Sequence, residues 1–304
     1  MKKITKYIPT IILTLLCSCS DYLDIVPDNV TTLDIVFNNR NTAERYLANC
    51  YHFVPDHGSV KRIPGMGAGH ECWFYTTNDS HFDNEVSFYI ARGLQNIDAP
   101  YANYWDGEGG SNLPMFRAIR ECNIFLDYVR DQHKVNDLTD SERKRWIAEV
   151  NVLKAYYHFF LFEHYGPIPI VDKALPVSTD PEGVKVTRMP VDQIVDYMVK
   201  LIDDSYKDLP PVITMEATEM GRLTQPAALA LKAKILLWAA SPLFNGNKDY
   251  ANFRNEKGEP FINQEFSHEK WVRTAEACKE AIESAETNGC QLYAVSYTHL
   301  TLPT

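Results

Sequence analysis

Apolar residues recur at steps of three and four along most of the chain, the spacing that lines one face of an α-helix. This pattern predicts helices over about 41–53, 114–131, 139–165, 190–209, 226–240 and 269–287. The third is the strongest, because its apolar side chains keep one face over several turns: Trp146, Val150, Leu153, Tyr157 and Phe160. We therefore predict a mainly α-helical protein.

The ends of the third predicted helix carry clear signals. Thr139 and Glu142 have the spacing of a capping box, in which each residue bonds to the other's backbone N–H. Gly166 and Pro167 end the helix, because glycine favours the C-terminal turn and proline cannot continue it. Residues 166–171 are then expected to be extended.

The last two predicted helices have contrasting surfaces. The helix over 226–240 is rich in alanine, which lets a neighbouring helix approach closely. In the helix over 269–287 the spacing puts four side chains on the expected inward face: Trp271, Ala275, Cys278 and Ile282. We also expect the last helices to expose apolar surface.

Residues 55–112 lose the helical period and are rich in glycine and aromatic residues. Long ordered loops inside a compact domain are usually functional. We therefore predict an irregular insertion over 55–112 within a domain that spans 37–294.

The N-terminus reads as a lipoprotein signal. Lysines precede a short apolar run, and small residues lead to Cys19. The apolar run is about half the roughly 20 residues that a spanning helix needs. We predict that residues 1–18 are removed, that Cys19 is lipidated and that residues 19–36 form a tether. Ordinary secretion with a chance cysteine is the alternative.

The net charge restricts the partners. The chain has 304 residues and a formal charge of −10, and cleavage before Cys19 removes three lysines and no acids, which takes the charge to −13. A chain this acidic is not expected to bind nucleic acid, because such binding depends on lysine and arginine side chains that displace the counterions of the phosphates. Five cysteines would remain, without metal or redox spacing. Cys50, Cys122 and Cys278 are predicted to be small buried hydrophobes.

The aromatic residues of the irregular stretch are the best candidates for ligand contact. Flat rings stack on the apolar faces of sugars, and neighbouring polar groups take hydrogen bonds from hydroxyls. We predict a ligand site at Trp73, Tyr75, Asn78 and Asp79. The alternative is that these rings fix the long loop to the helices, which is the role expected of Trp105.

Two patterns in the chain resemble catalytic motifs but lack what the chemistry needs. His70 and Glu71 begin like a zinc-protease motif, but Phe74 stands where the second histidine is needed. Asp106 and Glu108 are close in sequence, but sequence proximity does not set the separation that glycoside hydrolysis needs. We therefore predict no catalytic residue, no cofactor and no metal. His158 and His164 are expected to be hydrogen-bonded residues in or beside the core.

Several ordered blocks of the chain resemble the SusD/RagB family of nutrient-uptake outer-membrane lipoproteins. They follow Cys19 in the family's order and lie at residues 21–27, 37–51, 118–126, 148–159, 165–169, 221–224, 240–245 and 271–275. Lys154 stands where the family usually has arginine. Residues 295–304 match nothing in the family and are expected to be a foreign tail.

The resemblance implies a fold and a setting. The fold would be a SusD-like scaffold of tetratricopeptide-like helix pairs, here without the C-terminal half of the family fold. The protein would be lipid-anchored in the cell outer membrane, facing the cell exterior. It would act as the lid of a SusC-like TonB-dependent transporter and deliver oligosaccharide or another nutrient to it.

Three functions remain open from the sequence. The first is a non-catalytic, surface-anchored glycan-binding protein. The second is a lipid-anchored glycoside hydrolase, which needs an acid pair in one cleft. The third is a structural lid without a ligand site of its own.

Overall fold

The computed structural model describes residues 32–58, 64–69, 86–107, 113–176 and 182–292. The predicted signal and lipidation site at Cys19, almost all of the tether and the tail over 295–304 lie outside these ranges. The α-helices are α1 Leu33–Val36, α2 Arg40–His52, α3 Pro64–Ala68, α4 Val86–Ala91, α5 Met115–Arg130, α6 Asp140–Tyr165, α7 Val191–Asp203, α8 Glu216–Glu219, α9 Gln225–Ala240 and α10 His268–Thr287.

The described residues confirm the prediction of a mainly helical protein. They contain no β-strand, only two isolated bridges, one between Asn245 and Asn263 and one between Arg254 and Pro260. Within the described ranges, no helix combines the length and the apolarity that a bilayer crossing requires.

The predicted ends of α6 are confirmed. The Thr139 hydroxyl accepts a hydrogen bond from the Glu142 N–H, and the Glu142 carboxylate accepts one from the Thr139 N–H. Gly166 follows the helix at a φ of 66°, and its N–H donates to the Phe162 carbonyl. Glycine is the residue that most readily adopts a positive φ at the C-terminal end of a helix.

Helix α6 is the centre of the molecule. Helices α5 and α7 pack along it, α2 and α9 also contact it, and α9 pairs with both α7 and α10. Its last turns are buried on nearly every side, as the apolar run predicted: Tyr157, His158, Phe159, Phe160, Leu161 and Phe162. The helices therefore surround one apolar core.

The described parts of residues 55–112 are less irregular than predicted. Two short helices, α3 and α4, lie in this stretch and pack against each other. A helix of five or six residues covers fewer than two turns, so no three-to-four period develops in its sequence. Neither α3 nor α4 could therefore be predicted from the spacing of apolar residues.

The inward face predicted for α10 is wrong. Trp271 and Ile282 are 37% and 57% exposed, whereas Thr274 and Ala277 are buried. The neighbouring helix α9 is rich in alanine, so α10 can pack closely against it. Small α10 side chains fit into this narrow interface, whereas bulky ones do not. The bulky stripe is turned outward, so this region exposes apolar surface, as expected.

Two of the three predicted buried cysteines are confirmed. Cys50 and Cys122 are buried in the core, and Cys278 is half-buried against it. A hydrogen bond with Cys122, together with burial, raises the pKa of the Cys50 thiol, so it stays protonated.

Candidate functional site

A cleft of about 480 Å³ opens beside the first turn of α5. One side is the loop over 104–107, and the opposite side is the extended segment over 171–175, named here the wall segment. The lining contains both apolar and charged side chains: Trp105, Asp106, Pro114, Phe116, Arg117, Arg120, Val171, Lys173, Leu175 and Val186.

The loop over 104–107 is fixed at its first residue, Tyr104, through both its N–H and its carbonyl. The Tyr104 N–H donates to the Tyr165 hydroxyl at 2.9 Å, and the Met115 N–H donates to the Tyr104 carbonyl at 2.9 Å. Tyr104 is buried, with its ring edge-on to Phe160 at 4.8 Å. This side of the cleft is therefore anchored to the end of α6 and the start of α5.

Gly107 lets this loop approach α5 closely. Its φ of 92° is one that side-chain-bearing residues rarely adopt, and a Cβ at this position would lie 2.8 Å from Pro114 Cδ. Because Pro114 also lines the cleft, a larger residue at 107 would displace one side of the site.

Trp105 has the structural role that the sequence predicted. Its ring lies edge-on to Phe116 at 4.6 Å and to Tyr165 at 5.5 Å. The Arg188 guanidinium carbon lies 5.5 Å from the ring centroid, within the range of a cation–π contact. The half-buried ring also forms part of the cleft lining.

The wall segment is held mostly through its backbone. Asn123 Nδ2 donates to the Val171 carbonyl at 3.0 Å, and Lys154 Nζ donates to the Asp172 carbonyl at 2.7 Å. Arg120 donates to the Leu175 carbonyl. These donors come from α5 and α6, so the two helices together set the position of the segment.

His158 supplies a further anchor from α6. Its Nδ1 lies 2.8 Å from the Lys154 carbonyl, which only accepts, so Nδ1 carries the proton. Nε2 then accepts the Val171 N–H at 3.3 Å. Complete burial lowers the pKa of His158 to about 4, so the ring is neutral at physiological pH. His158 is thus the hydrogen-bonded core residue that the sequence predicted.

Lys154 and Asp172 form an ion pair at the base of the wall segment. Burial lowers the pKa of Lys154 below its usual value, although the hydrogen bond to Asp172 acts in the opposite direction. For Asp172 burial acts to raise the pKa, but hydrogen bonds from Lys154 and Tyr197, at 2.8 Å each, bring it below its usual value. Asp172 is therefore ionised near neutral pH.

A second buried charge cluster joins α2, α6 and the chain before α9. Glu149 is fully buried and accepts hydrogen bonds from Arg145 Nε at 2.9 Å, Arg222 Nη2 at 2.9 Å and the Tyr51 hydroxyl at 2.9 Å. The Tyr51 hydroxyl also accepts the Leu223 N–H at 3.2 Å. This cluster fixes the fold rather than a ligand, because its members bind each other.

An apolar hollow of about 440 Å³ lies next to that cluster. Its lining has little polar surface and consists of Tyr51, Val54, Val152, Leu153, Tyr156, Gly221, Leu223, Ala227 and Leu231. Sugar recognition needs convergent polar groups, which the α5 cleft offers and this hollow does not. The α5 cleft is therefore the candidate site.

The ligand residues predicted from the sequence cannot be compared with this cleft. Trp73, Tyr75, Asn78 and Asp79 lie outside the described residues. In the part of the chain that the structure describes, no group of three or more His, Cys, Asp and Glu side chains is arranged to hold a metal ion.

Sequence reasoning missed the basic side of the cleft. Arg117 and Arg120 are three positions apart on α5 and so share a helix face, which was the available signal. Lys173 lines the same cleft but follows α6 in the sequence, whereas the two arginines precede it. No local sequence pattern therefore relates Lys173 to the arginines.

Comparison with known proteins points to one family. A family model for SusD-like proteins, described as starch-binding and associating with the outer membrane, matches residues 21–237. No curated protein matches the chain.

Solved structures of SusD-like proteins share the fold. The structure named BT4246 is 28% identical with a TM-score of 0.70, over 85% of this chain and 42% of that one. A SusD-like protein (BF3747) from Bacteroides fragilis is 16% identical with a TM-score of 0.59, over 87% of this chain and 41% of that one. A laminarin-binding SusD-like protein is 18% identical with a TM-score of 0.52, over 67% of this chain and 41% of that one. The chain thus spans about two fifths of the length of these structures.

Proposed function

Because this chain belongs to the SusD-like family, we propose that it is a surface lipoprotein that captures an oligosaccharide and delivers it to a SusC-like TonB-dependent transporter. The family description, starch-binding and association with the outer membrane, supports the ligand class and the membrane setting. A relative of the same fold is described as laminarin-binding, which supports a glycan ligand for this scaffold.

The α5 cleft is the observation that carries this proposal. Its volume of about 480 Å³ falls within the roughly 300–1,000 Å³ of small-molecule sites. Trp105 and Phe116 supply aromatic surface, and Asp106, Arg117 and Lys173 supply polar groups for sugar hydroxyls. This mixture suits a ring that is apolar on its faces and polar on its edge.

Binding without catalysis is the function we favour. Glycoside hydrolysis uses a pair of carboxylic acids on opposite sides of the scissile bond. Among the described residues that line the cleft, Asp106 is the one carboxylate. Glu108, its companion in the sequence analysis, lies outside the described residues.

The proposed anchor is acyl chains on Cys19. Each buried methylene contributes about 0.8 kcal/mol, so two or more chains hold a soluble domain firmly on a bilayer. A flexible tether keeps the local concentration of the domain over a transporter high while allowing it to move away. This is what a lid that faces the cell exterior requires. Replacing Cys19 by serine should release the protein from the membrane fraction and abolish its labelling by a fatty acid.

Trp73, Tyr75, Asn78 and Asp79 remain our proposal for further ligand contacts. The test is the double substitution Trp73→Ala with Tyr75→Ala in the full chain. We expect weaker glycan binding by a correctly folded protein, and unchanged affinity would remove these two rings from the site.

Calorimetry with a panel of oligosaccharides tests the proposed function. The cleft is blocked by Val186→Trp, and the control is Val212→Trp, because the two valines are 42% and 51% exposed and only Val186 lines the cleft. We expect the cleft variant alone to lose binding. Equal loss in both variants, or no heat with any glycan, would contradict the proposal, and release of shorter sugars would indicate a hydrolase.

A further inference from the structure

The α5 cleft carries more positive than negative charge. Its described lining contains three cations and one carboxylate, Arg117, Arg120, Lys173 and Asp106. The chain as a whole has a formal charge of −10, so this local excess runs against its overall composition.

These cations lack strong carboxylate partners. Within the described residues neither Arg120 nor Lys173 has a carboxylate within 4.0 Å, and Arg117 reaches Glu121 only at 3.8 Å. Other exposed cations of this protein are paired more closely, as Arg273 with Asp196 at 2.7 Å. The positive charge of the cleft is therefore available to a ligand.

Asp106 offsets only one of the three cations that line the cleft. Its Oδ1 accepts a hydrogen bond from Asn103 Nδ2 at 2.6 Å, within its own loop. The Arg120 guanidinium is oriented by its hydrogen bond to the Leu175 carbonyl. That bond engages Nη1 and fixes the direction of the side chain beneath the wall segment.

Two further features add positive potential. Arg188 lies over the Trp105 ring on the same side of the molecule. The N-terminus of α5, a helix of 16 residues, contributes Pro114 and Phe116 to the lining. A helix N-terminus carries roughly half a positive charge. Neither feature makes a site by itself, but both act in the same direction as the three lining cations.

A neutral sugar would leave these charges uncompensated while displacing their water. A carboxylate or sulfate on a sugar ring would instead accept charge-assisted hydrogen bonds, which are shorter and stronger than neutral ones. Guanidinium groups match the planar geometry of such oxyanions. We propose that the α5 cleft selects acidic oligosaccharides, those that carry a carboxylate or sulfate group, an inference that rests on the proposed glycan-binding function.

The test compares three probes of similar size by calorimetry with the full chain. They are trigalacturonate, a sulfated galactose trisaccharide and neutral galactotriose. We expect at least one anionic probe to bind about tenfold or more tightly than galactotriose. Raising NaCl from about 0.05 M to about 0.5 M should remove most of that advantage, because salt screens exposed charges. The two anionic probes distinguish carboxylate from sulfate.

Lys173→Ala locates the effect in the cleft. Lys173 is exposed and holds no other described element in place, so the fold should be unaffected. We expect the variant to bind the preferred anionic probe several-fold more weakly, and to lose clearly less affinity for galactotriose, so that the ratio of the two affinities falls. Lys248→Ala is the control, because Lys248 is exposed and lies outside the cleft.

The outcomes separate the two proposals. Equal or tighter binding of galactotriose would overturn the acidic preference and leave glycan binding intact. An anionic preference that Lys173→Ala and Arg117→Ala leave unchanged would overturn the assignment to this cleft. Failure of all three probes and of neutral glucans to bind would refute the proposed function itself.

Discussion

The ammonium group of Lys154 donates two hydrogen bonds to Asp172, one to the backbone carbonyl at 2.7 Å and one to Oδ1 at 2.8 Å. Lys154 is buried, whereas the Asp172 side chain is 60% exposed. The pair therefore joins the interior of α6 to the surface segment that forms one wall of the cleft. Lys154 thus holds the wall segment through a two-point contact, to the main chain and to the side chain of one residue.

Asp172→Ala should destabilise the protein by about 1–2 kcal/mol, because it leaves a buried ammonium group with only a carbonyl partner. Combining it with Lys154→Met should restore part of that loss, since the buried charge is then gone. Urea unfolding of the two single variants and the double variant measures the coupling. Strictly additive effects would contradict an interaction between these side chains.

Stability should fall as the pH decreases from about 6.5 to about 4, partly through His158. Burial lowers the pKa of His158 to about 4 in the folded protein, against about 6.5 in the unfolded chain. Between these values the unfolded chain binds the extra proton, so acid favours unfolding, by up to about 3 kcal/mol. Protonation would also give Nε2 a hydrogen that faces the Val171 N–H.

The measurement is urea unfolding at several pH values for the wild type and His158→Gln. The charged groups that face this ring are Lys154 and Asp172, and Tyr197 lies beside it. Other carboxylates titrate in both proteins, so the difference in slope reports His158. Parallel curves above pH about 4 would show that His158 keeps its usual pKa.

Gly107→Ala should destabilise the protein and weaken ligand binding in the cleft. The added Cβ would lie 2.8 Å from Pro114 Cδ, and the positive φ is unfavourable for alanine. Gly93→Ala is the matched control, because Gly93 also has a positive φ but no atom within 4 Å of the added Cβ. We expect a loss of roughly 1 kcal/mol for the control and more for Gly107→Ala. Equal losses would mean that the loop moves away without strain.

Glu149→Gln should cost about 3 kcal/mol, because two guanidinium groups lose the buried carboxylate between them. The control is Glu44→Gln, which breaks the exposed pair of Glu44 with Arg40 and should cost less than about 1 kcal/mol. Chemical denaturation of the two variants gives both values. Similar small losses would mean that water replaces the carboxylate around Arg145 and Arg222.

The long helices follow from the sequence because their signals are local. Helix α6 was predicted over 139–165 and is observed at Asp140–Tyr165, since its cap, its apolar face and its terminating glycine all lie within the segment. The inward face of α10 could not be predicted in this way. It depends on the alanine surface of α9, which lies elsewhere in the chain.

The cleft could not be predicted from local sequence patterns for the same reason. Arg120 and Lys173 are separated by the full length of α6, and they meet only when α5, α6 and the wall segment pack together. Aromatic residues in a glycine-rich stretch drew attention to Trp73 and Tyr75, whereas the charged lining carries no aromatic signal. A local sequence pattern therefore draws attention to clustered aromatic residues more readily than to cations that are distributed along the chain.

Side chains of α5 and α6 bind the wall segment chiefly at its main chain. The bonded atoms are the Val171 N–H and the carbonyls of Val171, Asp172 and Leu175. Every amino acid except proline presents the same backbone atoms. Substitutions at positions 173 and 175 can therefore alter what lines the cleft while the attachment of the segment persists. Single exchanges at these two positions would change the chemistry of the cleft without rebuilding the scaffold that supports it.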